Sequence, residues 1–157
     1  MAIHIMQAEP SDAPIIAGLV GELLQEIMAA IGTTAFQFHQ IETETRLRVW
    51  VADRTYRVLL AYEDMTAVGF LALTENHALY AEGAFGTIPE LYVCPAFRSR
   101  QVGATLLAKA KRIARSKGWT RLEVTTPPLP QFDRTLAFYE RQGFSISGGR
   151  KMKIELP

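Results

Sequence analysis

The stretch from Thr87 to Thr126 constrains the fold most. An apolar run, Leu91-Tyr92-Val93, stops at Pro95, and a turn with two arginines and a glycine follows, Arg98-Ser99-Arg100-Gln101-Val102-Gly103-Ala104. A helical pattern starts at Val102, and a second strand pattern closes the unit at Leu122 to Thr126. Strand, long helix and strand in that order make a crossover, which requires a parallel pair of strands and a right-handed connection. The turn leaves backbone N–H groups free at a helix N-terminus, where they and the helix dipole favour an anion. From Leu91 to Arg121 there is no Asp or Glu, whereas Arg98, Arg100, Lys109, Lys111, Arg112, Arg115, Lys117 and Arg121 all fall inside that span. The stretch therefore predicts a bound negative group.

The rest of the chain limits how large that group is. Lys and Arg total 17 against 16 acids, a net charge of +1, so the acid-free stretch is a local feature and its ligand should be small. At 157 residues the chain is expected to be one domain, 1–157, with a real hydrophobic core. One cysteine, Cys94, cannot form an internal disulfide, and no charged leader with an apolar segment opens the chain, which together predict a cytoplasmic protein. No apolar run is expected to reach the roughly 20 residues that a membrane span requires. The three histidines, His4, His39 and His77, are scattered, so no metal site is expected.

Taken in order, Ala2 to Ala8 alternates as a first strand, with Ile3 and Ile5 on one face. Ser11 and Asp12 offer caps, Pro14 sits in a first turn, and Ile15, Ile16, Leu19, Val20, Leu23, Leu24 and Ile27 repeat at helical spacing. A second helix is expected over Gln40 to Asp53, supported by Glu42/Arg46 and Glu44/Arg48 at four-residue spacing. Arg57 to Tyr62 and Val68 to Leu73 read as a hairpin through Glu63-Asp64-Met65. Asn76 to Gly86 reads as a loop, Ile88 to Cys94 as the next strand, and Gln101 to Lys117 as a long helix ended by Gly118. Asp133 to Gln142 is a short helix, and Phe144 to Ser147 and Met152 to Leu156 are final strands. The sum is α/β, a mixed, twisted central sheet of six to seven strands flanked by about four helices.

The run Val93 to Ala104 resembles the acetyl-coenzyme A signature of the GCN5-related N-acetyltransferases: Arg or Gln, two residues, Gly, one residue, then Gly or Ala. Arg98 and Gly103 fit its first and last positions, and Gln101 stands where the middle glycine is usual. Either Gln101 takes an ordinary right-handed backbone, or the turn tolerates a side chain beside the ligand. A second match, Ala137-Phe138-Tyr139-Glu140-Arg141-Gln142-Gly143-Phe144, resembles the family's C-terminal helix and following strand. Phe132 stands where the family often has an asparagine, seven residues before the helix tyrosine.

This resemblance implies the family fold and an acetyl-coenzyme A site in which Leu91, Tyr92, Val93, Arg98, Ser99, Arg100, Gln101, Val102, Gly103 and Ala104 hold the cofactor. The turn would wrap the pyrophosphate, and the Val93 N–H, left free where the central strand splays from its neighbour, would face the developing oxyanion. An acceptor amine with a pKa near 10 is mostly protonated at neutral pH, so a base must take its proton. Glu90, on the same face as Tyr92 by alternation, is the candidate; an edge carboxylate or a sheet salt bridge is the competing use of that residue. Tyr139 would protonate the thiolate leaving group by its place in the family pattern; taken alone it reads first as a core tyrosine. Acetyl transfer to a primary amine, on a small molecule or a peptide, then runs as direct attack in a ternary complex without a metal. The loops Met28 to His39 and Asn76 to Gly86 would select the acceptor, with Glu82 and Asp133 available to a second cation. Cys94 reads as a buried thiol. The family also pairs C-terminal strands across dimers, which makes a homodimer through Lys151 to Leu156 an expectation.

Two other classes are open. Gln101 and Phe132 as departures suit a non-catalytic acyl-coenzyme A sensor or interaction domain. Nucleic-acid binding through the basic stretch is disfavoured by the near-zero net charge and the absence of interleaved aromatic residues.

Overall fold

The β-branched and apolar runs on either side of Asp64 form the hairpin at the centre of a computed structural model, which describes residues 2–157. Strands β2 (Arg57–Glu63) and β3 (Thr66–Ala78) turn at Asp64, whose φ of 54° gives the tight reversal. Strand β1 (Ile3–Gln7) pairs antiparallel with β2, and β4 (Gly83–Ile88) and β5 (Leu91–Val93) both pair antiparallel with β3. Strand β6 (Leu122–Val124) pairs parallel with β4, so the six-stranded sheet is mixed, in the order β1-β2-β3-β4-β6 with β5 beside β3. The crossover from β5 to β6 runs through the long helix, as the strand–helix–strand reading requires.

Four helices cover the sheet. α1 (Ala13–Ile31) and α2 (Gln40–Ala52) lie on one face with the buried residues Ile16, Leu23, Leu47, Val58, Leu60, Phe70 and Tyr92. α3 (Val102–Ser116) and α4 (Asp133–Arg141) supply Leu106, Leu107, Ala110 and Tyr139 to a second cluster with Leu59, Leu71, Leu73 and Ile88 on the other face. Neighbouring residues of β2 and β3 enter opposite clusters because side chains alternate across a strand. Glu42/Arg46 and Glu44/Arg48 are ion pairs along α2, at 3.6 Å and 3.3 Å. Gly118, at φ 72°, ends α3 in the left-handed conformation expected of it.

Four expectations need correction. Asn76 to Gly86 is no open loop: β3 continues to Ala78 and returns as β4 after a 3-10 turn, Leu79–Ala81. The single strand Ile88 to Cys94 is two, β4 and β5, because Pro89 has no N–H to donate and the ladder slips there. Phe144 to Ser147 and Met152 to Leu156 are not strands; they have no ladder partners among the described residues, and Ile146, Met152, Ile154 and Leu156 are 75–90% exposed. Their alternation is the pattern of a strand, but a ladder needs a neighbour, and this chain places none beside them. Finally, the segment Pro10–Ile31 is long and apolar enough, by length and composition, to cross a membrane. Glu22 and Glu26 are the only charged residues along α1, which here buries Ala13, Ile16, Ala17, Leu19, Leu23 and Ile27.

Gly69 shows how closely the two strands of the site are packed. A Cβ at that position would lie 2.7 Å from the Tyr92 carbonyl oxygen and 3.3 Å from the Val93 Cα, both backbone atoms that cannot rotate away. Gly69→Ala should therefore destabilise the protein by about 1–3 kcal/mol through overpacking, read as a lower urea midpoint at unchanged m-value.

Candidate active site

At the turn before α3 the backbone reverses twice. Ser99 has φ 63° and Gln101 φ 65°. Gln101 is thus in the left-handed region, which removes the option of an ordinary right-handed backbone: the residue takes the glycine conformation with a side chain attached, and serves as the N-cap of α3. Its carbonyl accepts the first helical bond from the Thr105 N–H at 2.9 Å and a second from the Thr105 hydroxyl at 2.7 Å. Ahead of that bond, the N–H groups of Ser99 through Ala104 have no backbone acceptor among the described residues. They lie at the N-terminal, positive end of the α3 dipole, a setting that suits a phosphate. Gly103 has a packing reason as well: a Cβ there would sit 2.9 Å from the Phe138 ring of α4.

Both arginines of the turn are held by carboxylates that lie far off in the sequence. Arg100 pairs with Glu63 at the end of β2 and stacks over Phe97, 5.1 Å from its ring centre. Arg98 donates from Nε to the Val93 carbonyl at 2.8 Å and from its terminal nitrogen to Glu26 Oε1 at 2.7 Å. The two arginines of the turn are therefore matched by carboxylates outside the acid-free stretch, whereas Lys109, Lys111, Arg112, Arg115 and Lys117 have no ion pair among the described residues. Nothing local in the sequence pointed to Glu26 or Glu63, since only tertiary packing brings α1 and β2 to the turn.

Beside the turn the sheet opens. Against β3, the β4 register runs Thr74 to Thr87 and the β5 register Leu71 to Leu91, so the β4–β5 side holds one extra residue, a bulge at Pro89-Glu90. Strand β6 follows β4 only at Gly86, Thr87 and Ile88 and does not continue along β5. The Ala72 N–H bonds to the Glu90 carbonyl and the Cys94 N–H to the Val68 carbonyl, at 2.9 Å and 2.8 Å. The alternation of an antiparallel ladder then turns Glu90, Tyr92 and Cys94 toward β3, and the N–H and C=O of Leu91 and Val93 toward the open edge. Leu91 and Val93 thus offer backbone groups to the gap. Tyr92 does not: its side chain packs on the α1 face, and its hydroxyl donates to Glu22 at 3.1 Å. Burial, then the Glu22 carboxylate, push its pKa upward.

Glu90 sits at the bulge, at the mouth of this gap. Its Oε1 is buried and has no hydrogen-bond partner, the one such side-chain atom among the described residues. Burial pushes the carboxyl pKa up from 4.5 to about 7. No sheet salt bridge engages it among the described residues, which removes that one of its two competing uses. A buried unpaired acid is costly, and one poised near neutrality can take a proton.

Tyr139 approaches from the other face. It is 5% exposed, edge-on to Phe138 and Phe144 at 5.4 Å each, in the cluster that includes Leu91, Val93 and Val102. Burial raises its pKa, which keeps the phenol protonated and able to donate. Glu90 and Tyr139 thus flank the opened strands from opposite sides of the sheet. Phe132, before α4, packs against the α1-side cluster. Cys94 is half-buried, its Sγ 3.9 Å from Glu22, and burial raises its pKa first and Glu22 second, so the thiol is no ready nucleophile.

Glu22 and Glu26 bring the C-terminal half of α1 alongside Tyr92 and Arg98. The tip of the β3–β4 hairpin, with Glu82, lies at the far end of β4, roughly 20 Å from Glu90 at the rise of a strand. Asp133 is the first residue of α4.

The sequence matches the Acetyltransferase (GNAT) family over residues 24–144. It is 30% identical over 131 residues to an IAA acetyltransferase of Azospirillum brasilense, covering 82% of this chain and 78% of that one. The fold superposes on a ribosomal-protein-alanine N-acetyltransferase from Brucella melitensis biovar Abortus 2308 with a TM-score of 0.75 at 20% identity, covering 99% of this chain and 100% of that one. It also superposes on an aminoglycoside acetyltransferase from an uncultured soil metagenomic sample, with a TM-score of 0.77 at 18% identity and coverage of 99% and 97%. A parallel crossover, an amide-lined turn at the N-terminus of α3 and a gap beside β5 occur together in a chain with this match: the protein belongs to the GNAT acetyltransferase family.

Proposed function

We propose that the protein transfers an acetyl group from acetyl-coenzyme A to a primary amine, on a small molecule or a peptide, by direct attack in a ternary complex. The observation that carries this reading is Glu90, whose Oε1 is buried without a partner and whose pKa is pushed up to about 7, beside an edge of β5 that no strand engages. The N–H groups from Ser99 to Ala104 receive the pyrophosphate, and the open edge of β5 receives the extended arm that leads to the thioester. Glu90, directly or through a held water, takes a proton from the acceptor ammonium, which leaves the amine lone pair free to attack. The Val93 N–H points at the carbonyl oxygen as it gains charge. Tyr139 supplies a proton to the departing sulfur. The acceptor enters between the α1–α2 connection and the mouth of the gap. The names of the similar proteins differ in acceptor, from IAA to an alanine of a ribosomal protein to aminoglycosides, and this chain is read as sharing their chemistry and not any one acceptor.

The direct test is calorimetry with acetyl-coenzyme A, followed by thiol release across a panel of primary amines. Micromolar binding and amine-dependent release support the reading; neither binding nor release overturns it. Tyr139→Phe should lower kcat by up to about 100-fold with the affinity for acetyl-coenzyme A retained.

Glu90→Gln has two readouts. In the wild type, kcat/KM should rise with pH through about 7 as Glu90 ionises; the variant should lose that limb and about 100-fold in rate at pH 8. For stability, the folded pKa lies above the unfolded one. Below pH 4.5 the group is protonated in both states and costs nothing, while above about 7 it is ionised in both and the folded state carries the burial penalty. Its contribution therefore worsens as pH rises from 4.5 to 7, by on the order of 3 kcal/mol. Denaturant unfolding should show the Gln variant more stable than wild type at pH 8 and level with it at pH 4.

Gln101→Gly should leave acetyl-coenzyme A affinity equal or a few-fold tighter and raise stability by up to ~1 kcal/mol, since glycine occupies φ 65° without strain. A large loss of affinity would show that the Gln101 side chain holds the ligand.

A further inference from the structure

Arg98 opens the amide turn in sequence, but its side chain leaves the turn. The guanidinium lies over the Tyr92 ring, 5.6 Å from the ring centre. Tyr92 belongs to the cluster packed against α1, whereas Val102 and Leu106, at the start of α3, belong to the cluster on the opposite face. The guanidinium is therefore directed to the α1 side of the sheet, away from the helix end where the free amides lie.

Its two acceptors show what it does there. β5 is three residues long, is paired on one edge only, and carries the Val93 N–H and C=O on its open edge. Arg98 Nε occupies that edge at the Val93 carbonyl, 2.8 Å away, where a neighbouring strand would have supplied a donor. The other end of the same planar fork is bonded to Glu26 of α1 at 2.7 Å. A guanidinium holds two acceptors in fixed relative geometry because its donors share one plane. The Val93 carbonyl is thereby tied to α1, while the Cys94 N–H of the same peptide group is held by the Val68 carbonyl of β3, so the backbone next to the Val93 N–H is braced from a helix as well as from the sheet.

We propose that Arg98 is a positioning residue for the oxyanion-facing strand and not a pyrophosphate ligand; this rests on the acetyl-coenzyme A reading above. An amide that must meet a developing charge loses rate steeply when its direction drifts, whereas cofactor affinity resides in the turn amides that Arg98 does not touch.

The test uses the full chain, with coenzyme A in calorimetry and acetyl-coenzyme A with the best amine of the panel in steady-state kinetics. Arg98→Met should bind coenzyme A within about threefold of wild type while kcat falls about 10-fold or more. Arg98→Lys should not restore kcat, because an ammonium cannot span both acceptors in one plane. Glu26→Gln keeps the arginine and serves if Arg98→Met does not fold: it should lower kcat and leave coenzyme A affinity unchanged. The assignment is overturned if Arg98→Met weakens coenzyme A more than 10-fold with kcat retained at saturation, or if Glu26→Gln tightens coenzyme A binding, as freeing a phosphate ligand would. A wild-type protein that binds no coenzyme A overturns the parent reading and this one with it.

Discussion

The site depends on a ladder that is not completed. Between β4 and β6 the parallel pairing covers three residues and stops at Ile88 and Val124; past that point β5 keeps its bonds to β3 and, among the described residues, has no neighbouring strand on its other edge. Unpaired backbone groups inside a protein are costly, so a sheet that leaves them open needs something else to meet them. Here the cause is local: Pro89 removes a donor, one extra residue enters the β4–β5 side, and the strand bends away. Every other part of the site is arranged about that opening.

Three elements converge on it for separate physical reasons. α3 begins just past the end of β5, which sets its free amides and its positive end beside the gap. α4 is pressed against α3 at Gly103, where the absence of a side chain admits the Phe138 ring and so brings Tyr139 into the same cluster as Leu91 and Val93. α1 is tethered through Glu22 to Tyr92 and through Glu26 to Arg98, which aligns its C-terminal half with β5 from the opposite face. The bulge itself puts the Glu90 carboxyl where water is scarce and no partner reaches it, and its raised pKa follows from that burial.

Much of the fold was legible because hydrophobic periodicity and capping act locally. The extents of α2, α3 and α4, the hairpin at Asp64 and the two ion pairs of α2 are each set by residues within a few positions of one another. The readings that failed turn on partners. Asn76 to Gly86 is polar and glycine-bearing enough to resemble a loop, yet Asn76 and Glu75 find Phe85 and Gly86 as ladder partners and become strand. The alternating residues from Met152 to Leu156 suit a strand but have no partner beside them. The apolar length of α1 describes a span and a core helix equally well, since composition does not say what the apolar face will meet.

By itself the sequence determined the order of elements and the anion-suited turn at Arg98 to Ala104, because those depend on chain geometry and residue type. Tertiary structure decided the rest. It put Gln101 in a glycine conformation, matched both turn arginines with carboxylates from β2 and α1, turned Tyr92 away from the gap, and left the Glu90 carboxyl buried without a partner. Those are outcomes of which distant groups come within about 3 Å of each other, and no local pattern encodes that distance.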